Sequence, residues 1–96
     1  MQLLLIICGK SRNEEVIGLF KKHEIHGYTE VPTVIGSGLS GKHMGTRTAP
    51  GTECMLFTLV AREKVAGLMM DLKELHSRLY AEKALSVFSL DAEKVL

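Results

Sequence analysis

An uninterrupted apolar run near the amino terminus restricts the fold more than any other feature. It reads LLLIIC over residues 3–8, and Gly9 follows it directly. A short apolar run without polar alternation is typical of a central strand covered on both faces. It is too short to cross a membrane as a helix, and it lacks the flanking basic and small residues of a signal peptide. We therefore expect a buried strand in a cytoplasmic protein that is not an integral membrane protein.

The next two segments predict a helix and an edge strand. Ser11 and Glu14 have the spacing of a capping box, and Gly27 offers a left-handed residue at which the helix could end. Apolar residues recur between them at helical spacing, with His23 on the same face: Val16, Leu19 and Phe20. β-Branched residues predict a strand over 28–35, and Pro32 places it at a sheet edge because proline cannot donate a ladder hydrogen bond.

The second half of the chain predicts strand, helix and strand. Residues 54–61 are mostly apolar and predict the third strand. A helix is predicted from Arg62 to about Leu79 because apolar residues recur at helical spacing: Val65, Leu68, Met69, Leu72, Leu75 and Leu79. A fourth strand is expected from Leu85, and Asp91 could cap a short final helical turn.

The order β-α-β-β-α-β predicts an α+β, ferredoxin-like domain. Right-handed crossovers place strands one and three in the middle of a four-stranded antiparallel sheet, with both helices on one face. The chain contains no repeat, linker or low-complexity segment, so we expect one domain over residues 1–96.

A long glycine-rich loop, from about 36 to 53, is the main candidate for function, because structureless loops of this length are uncommon in compact domains. Its first residues, GSGLSGKH over 36–43, match the dinucleotide motif GxGxxG. They also match the P-loop motif GxxxxGK[ST] except at His43. Both motifs require a helix directly afterwards. Residues 44–51 contain two glycines and a proline, so they do not form one, and both motif interpretations fail.

The composition of the loop nevertheless favours binding of an anionic ligand. Its glycines let backbone amides turn inward as an anion-binding nest. Lys42, His43 and Arg47 lie on it, and no acidic residue follows until Glu53. Phosphate or carboxylate would fit this charge. A solvated loop whose glycines only serve hairpin geometry is the alternative.

A metal site is a further possibility. His43, Met44 and Cys54 form a loose set of soft or borderline ligands at the loop and its end. They lack tight CxxC or helical HxxxH spacing, and Cys54 could equally be a small buried hydrophobic residue.

Catalysis and nucleic-acid binding are not expected. Glu14 and Glu15 are explained by helix capping, while Asp71 and Glu74 fit a solvated helix face. The chain shows no nucleophile with a base and an orienting group, so we predict that it is not an enzyme. A net charge of +1 gives no reason to expect nucleic acid as a partner.

Several segments together resemble the nitrogen-regulatory P-II signalling proteins, and more closely their divergent P-II-like branch. These segments are HGYTEVPTVIGSGLSGKH (26–43), the strand CMLFTLV, the helix from Arg62 and the tail ALSVFSLDAEKVL. The resemblance implies a homotrimer that binds small effectors in clefts between subunits. It also implies that the loop over about 37–53, called the T-loop, contacts a transporter, channel or enzyme, and that a short helix ends the chain.

The resemblance also suggests the binding residues. The family's G-x-G at the loop base corresponds to Gly36 and Gly38. Leu39 and Ser40 replace the basic-polar pair that usually follows, and the segment before the last strand keeps only Lys83 of a glycine-rich phosphate-binding stretch. The expected effector-binding residues are Gly36, Ser37, Gly38, Lys42, Arg47 and Lys83. The effector could be a nucleotide or another anion. The alternative function is that of a CutA-type tolerance protein, which would bind a divalent metal through His43, Met44 and Cys54.

Overall fold

The computed structural model describes residues 1–34, 53–78 and 85–96. Its elements are β1 (Gln2–Gly9), a 3-10 turn (Lys10–Arg12), α1 (Asn13–Lys22), β2 (Thr29–Val34), β3 (Glu53–Val60), α2 (Arg62–Ser77) and β4 (Ser86–Asp91). The predicted β-α-β-β-α-β order is therefore confirmed. No helix in the described part of the chain is long and apolar enough to cross a membrane.

The four strands form one antiparallel sheet in the order β2-β3-β1-β4. This order confirms that strands one and three are central and that strands two and four are at the edges. Pro32 lies in edge strand β2, and the pairing of β2 with β3 shifts register between Val31 and Val34. The missing donor of proline is tolerated at such an irregular edge.

The core lies between one face of the sheet and the two helices. Alternate residues of the central strands point into it, as the strand period of two requires. Its fully buried members are Leu4, Ile6, Cys8, Val16, Phe20, Cys54, Leu56, Val60, Leu68 and Leu72. The opposite face of β1 carries Leu3, Leu5 and Ile7, which are only partly buried. The prediction that β1 is covered on both faces is thus met on one face only within a single chain.

Both predicted ends of α1 were wrong. Ser11 lies in the 3-10 turn rather than at a cap, and Arg12 precedes the helix without a side-chain capping bond. The helix ends at Lys22, and Glu24, not Gly27, takes the left-handed conformation with a φ of 58°. This earlier reversal brings Ile25 into the core, where its amide donates to the Phe20 carbonyl at 2.8 Å.

The end of the chain also differs from the expectation. Asp91 is the last residue of β4, not a helix cap, and residues 92–96 form no helix. Asp91 pairs with Gln2 of β1, and its carboxylate accepts a hydrogen bond from the side-chain amide of Gln2. The Ala92 amide continues this pattern by donating to the Met1 carbonyl at 3.0 Å. The strand persists because β1 supplies partners for its backbone.

Candidate functional site at the loop base

The segment between β2 and β3 leaves and re-enters the sheet at one place. β2 ends at Val34 and β3 begins at Glu53, and these two residues are paired in the sheet. Glu53 also pairs with Gly9, the last residue of β1. The 3-10 turn that starts at Lys10 follows immediately. The ends of three strands and this turn therefore form the base of the loop.

Two side-chain contacts hold β2 to the turn and to α1. Lys10 Nζ donates to Thr33 Oγ1 at 2.8 Å. Asn13 Nδ2 donates to a carboxylate oxygen of Glu30. Both contacts involve exposed side chains, so each contributes modestly to stability. Their effect is to fix the strand from which the loop departs.

Polar atoms with spare hydrogen-bonding capacity lie at the same place. Arg12 Nη1 is 3.1 Å from Glu15 Oε1, but Arg12 Nε has no partner among the described residues, although it is buried. The side-chain oxygen of Asn13 is also buried and has no hydrogen-bond partner among the described residues. A buried polar atom without a partner is costly. The loop base therefore offers both a donor and an acceptor to a group that reaches it.

A pair of cysteines lies under the loop base, on the helix-facing side of the sheet. Cys8 and Cys54 are directly paired between β1 and β3, and their Sγ atoms are 3.9 Å apart. Both are free, and both are almost completely buried. Burial raises the pKa of Cys8 to about 12, with a further rise from the neighbouring Cys54, and burial also raises the pKa of Cys54. Without a bound ion both groups are therefore neutral thiols at pH 7.

His23 and Asp71 form a contact between the two helices. His23 Nε2 lies 2.7 Å from Asp71 Oδ2, and Lys22 Nζ lies 3.0 Å from the same oxygen. The hydrogen bond with His23, followed by that with Lys22, lowers the pKa of Asp71. The expectation that Asp71 belongs to a solvated helix face was wrong. Its carboxylate instead joins α2 to the end of α1.

The face of the sheet away from the helices is apolar, and its side chains are partly buried or exposed. We call it the open sheet face. Its members are Leu3, Leu5, Ile7, Met55, Phe57, Leu59, Phe88 and Leu90. In the sheet register Leu5 lies between Phe57 and Phe88, and Leu3 between Leu59 and Leu90. Phe88 and Leu90 are 54% and 51% exposed. Large contiguous apolar patches on a protein surface are commonly interaction sites.

The sequence model of the family described as nitrogen regulatory protein P-II matches residues 1–96. The chain belongs to the P-II family. A search among curated proteins finds no significant match.

Solved P-II-like structures share the fold. Apo CPII, a nitrogen regulatory PII-like protein from Thiomonas intermedia K12, is 19% identical with a TM-score of 0.70, over 93% of this chain and 85% of CPII. The same protein bound to ADP, AMP and acetate is 23% identical with a TM-score of 0.72, over 92% and 81%. A PII-like signaling protein from Thermus thermophilus is 18% identical with a TM-score of 0.66, over 93% and 82%.

In this P-II chain most of the predicted binding residues fall outside the described ranges. They are Gly36, Ser37, Gly38, Lys42, His43, Met44, Arg47 and Lys83. Cys54 is described, and its thiol lies in the core beside Cys8 rather than on the surface. The described residues contain no cluster of three or more metal-binding side chains.

Sequence reasoning did not select the residues that surround the loop base. The sequence does not point to Lys10 or Asn13, because their partners, Thr33 and Glu30, are 23 and 17 residues away along the chain. The position of Lys10 does give one indication of a binding site, because Lys10 directly follows a predicted central strand. Polar residues at such strand ends are commonly placed beside a binding site.

Proposed function

We propose that this P-II family chain is a trimeric regulatory protein that binds a small anionic effector between subunits and presents the 37–53 loop to a protein target. The target would be a transporter, channel or enzyme. The observation that carries this proposal is the position of the open sheet face, which runs across β3, β1 and β4 and meets the loop base at one end.

The open sheet face supports assembly with further copies of the chain. The outward side of its central strand, β1, carries Leu3, Leu5 and Ile7, and no charged residue lies between Gln2 and Gly9. Exposed aromatic and aliphatic residues of β4 extend the same surface. Packing against identical subunits would remove this apolar area from water at about 25 cal/mol per Å².

The loop base supports an anionic effector. Lys10 and Arg12 place two cations where the loop leaves the sheet, and Arg12 Nε has no partner in the described part of the chain. CPII structures have been solved with ADP, AMP and bicarbonate or acetate. We propose an effector of this class, either an adenine nucleotide or a small carboxylate-like anion. Its contacts would come from Gly36, Ser37, Gly38, Lys42, Arg47 and Lys83.

Effector binding would act on the loop. A ligand held by residues 36–38 and Lys42 would restrict the chain that begins directly after β2. Ordering a segment on ligand binding is a recurring regulatory device. The fit of the loop to its target would then report the effector concentration.

Thermal unfolding with separate additions of ADP, AMP, ATP and bicarbonate tests this function. A ligand at 100 times its Kd should stabilise the protein by about 2.7 kcal/mol. Lys42→Ala and Arg47→Ala should weaken the response, whereas Lys73→Ala on the exposed side of α2 should not. Absence of any response, together with a monomer in sedimentation, would overturn the proposal. A response to zinc or copper(II) alone that His43→Ala removes would favour the CutA-type alternative.

A further inference from the structure

We infer that Cys8 and Cys54 form a binding site for one soft monovalent metal ion, with copper(I) as its natural occupant. The inference does not rest on the proposed function. Both sulfur atoms come from central strands of the sheet and lie on its helix-facing side, so the backbone register brings them together.

The sulfur separation fits a shared ion. At 3.9 Å the Sγ atoms are far beyond the length of a disulfide bond, which is about 2.05 Å. With metal–sulfur bonds of about 2.3 Å, this separation gives a sulfur–metal–sulfur angle of about 115°. A straight arrangement needs about 4.6 Å between the sulfurs, about 0.7 Å more than the separation in the structure.

The donor set selects the ion. Thiolates are soft ligands and favour copper(I) over magnesium, calcium or manganese. Zinc instead takes four ligands in a structural site. The described residues hold no third His, Cys, Asp or Glu in a cluster with the two thiols. Among the described residues the donor set is therefore a pair of thiolates, which suits an ion of low coordination number.

Binding is a simple exchange of protons for metal. One copper(I) ion and two thiols give a copper bis-thiolate of net charge −1 and two released protons, with no change in oxidation state. The apolar surroundings of the pair exclude water, which protects copper(I) from oxidation and from competing ligands.

The end of the β1–β3 strand pairing provides a route by which the ion could reach the two cysteines. In the pairing of β1 with β3, only Gly9 and Glu53 lie beyond the two cysteines. Strand ends open at a small fraction of the free energy of global unfolding. An ion delivered by a thiol-containing carrier could reach both sulfurs during such openings, without unfolding of the core.

The test uses the reduced full-length protein, kept without oxygen and titrated with copper(I) in the presence of bicinchoninate as a competing chelator. Non-denaturing mass spectrometry should show one copper per chain. Cys8→Ala and Cys54→Ala should each lose it. Met70→Leu removes a thioether that is 72% exposed on α2 and should retain the full copper content.

A second measurement avoids variants that could fail to fold. Copper(I) should protect both Cys8 and Cys54 of the unmodified protein from iodoacetamide under mild denaturant, as read by peptide mass spectrometry. Protection of both residues supports the site. Copper retained by the double alanine variant, no copper on the unmodified protein under competition, or a Cys8–Cys54 disulfide that persists under reductant would each overturn it.

Discussion

His23 Nε2 lies 2.7 Å from Asp71 Oδ2, and this contact fixes the end of α1 against the middle of α2. Lys22 approaches the same carboxylate oxygen at 3.0 Å. The imidazole has room because residue 67 is glycine: a Cβ there would be 3.2 Å from His23 Cε1. Three features of the sequence that look unrelated, a histidine, an aspartate and a helical glycine, thus belong to one helix–helix contact.

Asp71→Asn should change how stability depends on pH. Hydrogen bonds from His23 and Lys22 hold the pKa of Asp71 below its ordinary value of 3.8, so the folded state favours the carboxylate. The stabilisation is present above that ordinary value and is lost as pH falls through the lowered pKa. Melting temperatures measured from pH 7 to pH 2 should show the variant less stable at neutral pH, with the difference shrinking below about pH 3.8.

Glu74→Gln is the matched control, because Glu74 is exposed on the same helix. Its difference from the unmodified protein should stay small across the pH range. A constant difference between Asp71→Asn and the unmodified protein from pH 7 to pH 2 would contradict a role for the charged carboxylate.

Gly18→Ala and Gly67→Ala should have unequal effects on the free energy of unfolding. Alanine is favoured over glycine in a helix interior by about 0.5–1 kcal/mol. A Cβ at Gly18 meets no atom within 4 Å, so the free energy of unfolding of Gly18→Ala, measured by urea denaturation, should rise by the full amount. A Cβ at Gly67 presses on His23, so its gain should be smaller or negative. In a His23→Ala background the two gains should become equal; equal gains in the unmodified background would disprove the contact.

Much of the fold could be predicted from local pattern. The apolar run at 3–8 identified the central strand because it lacks polar alternation, and Pro32 identified an edge because proline cannot donate a ladder hydrogen bond. The ends of α1 were not predictable in this way. Burial of Ile25 decided that Glu24, rather than Gly27, would reverse the chain.

The candidate site was less predictable because its contacts join distant residues. The glycine-rich loop was visible from composition, and its base follows from the strand order. The contact of Lys10 with Thr33 and that of Cys8 with Cys54 depend on how β1 lies relative to its neighbours. A register of this kind is set by the whole sheet and cannot be read from either residue alone.

Glu24→Gly should stabilise the protein. Glu24 has a φ of 58°, which strains a residue with a Cβ, whereas glycine adopts it freely. Glycine also increases the conformational entropy of the unfolded chain, which offsets part of this benefit. The net rise in the free energy of unfolding should be about 0.5–1 kcal/mol. The hydrogen bond from Lys64 Nζ goes to the Glu24 carbonyl and is kept. Gly27→Ala should be tolerated in the same urea titration, because a Cβ there meets no atom within 4 Å. Destabilisation by both substitutions would instead make Gly27 the residue that requires glycine.

Phe88→Glu should convert the assembled protein into a folded monomer. Phe88 is 54% exposed in the single chain, so glutamate there should destabilise the fold only slightly. If identical subunits cover the open sheet face, the same substitution would bury an unpaired charge in the interface. Sedimentation velocity should give a trimer for the unmodified protein and a monomer for the variant, with unchanged far-ultraviolet circular dichroism. Met70→Glu introduces the same charge at a residue that is 72% exposed on α2, and it should remain trimeric. If Phe88→Glu stays trimeric while Met70→Glu dissociates, the subunits meet through the helices, and the open sheet face must have another role.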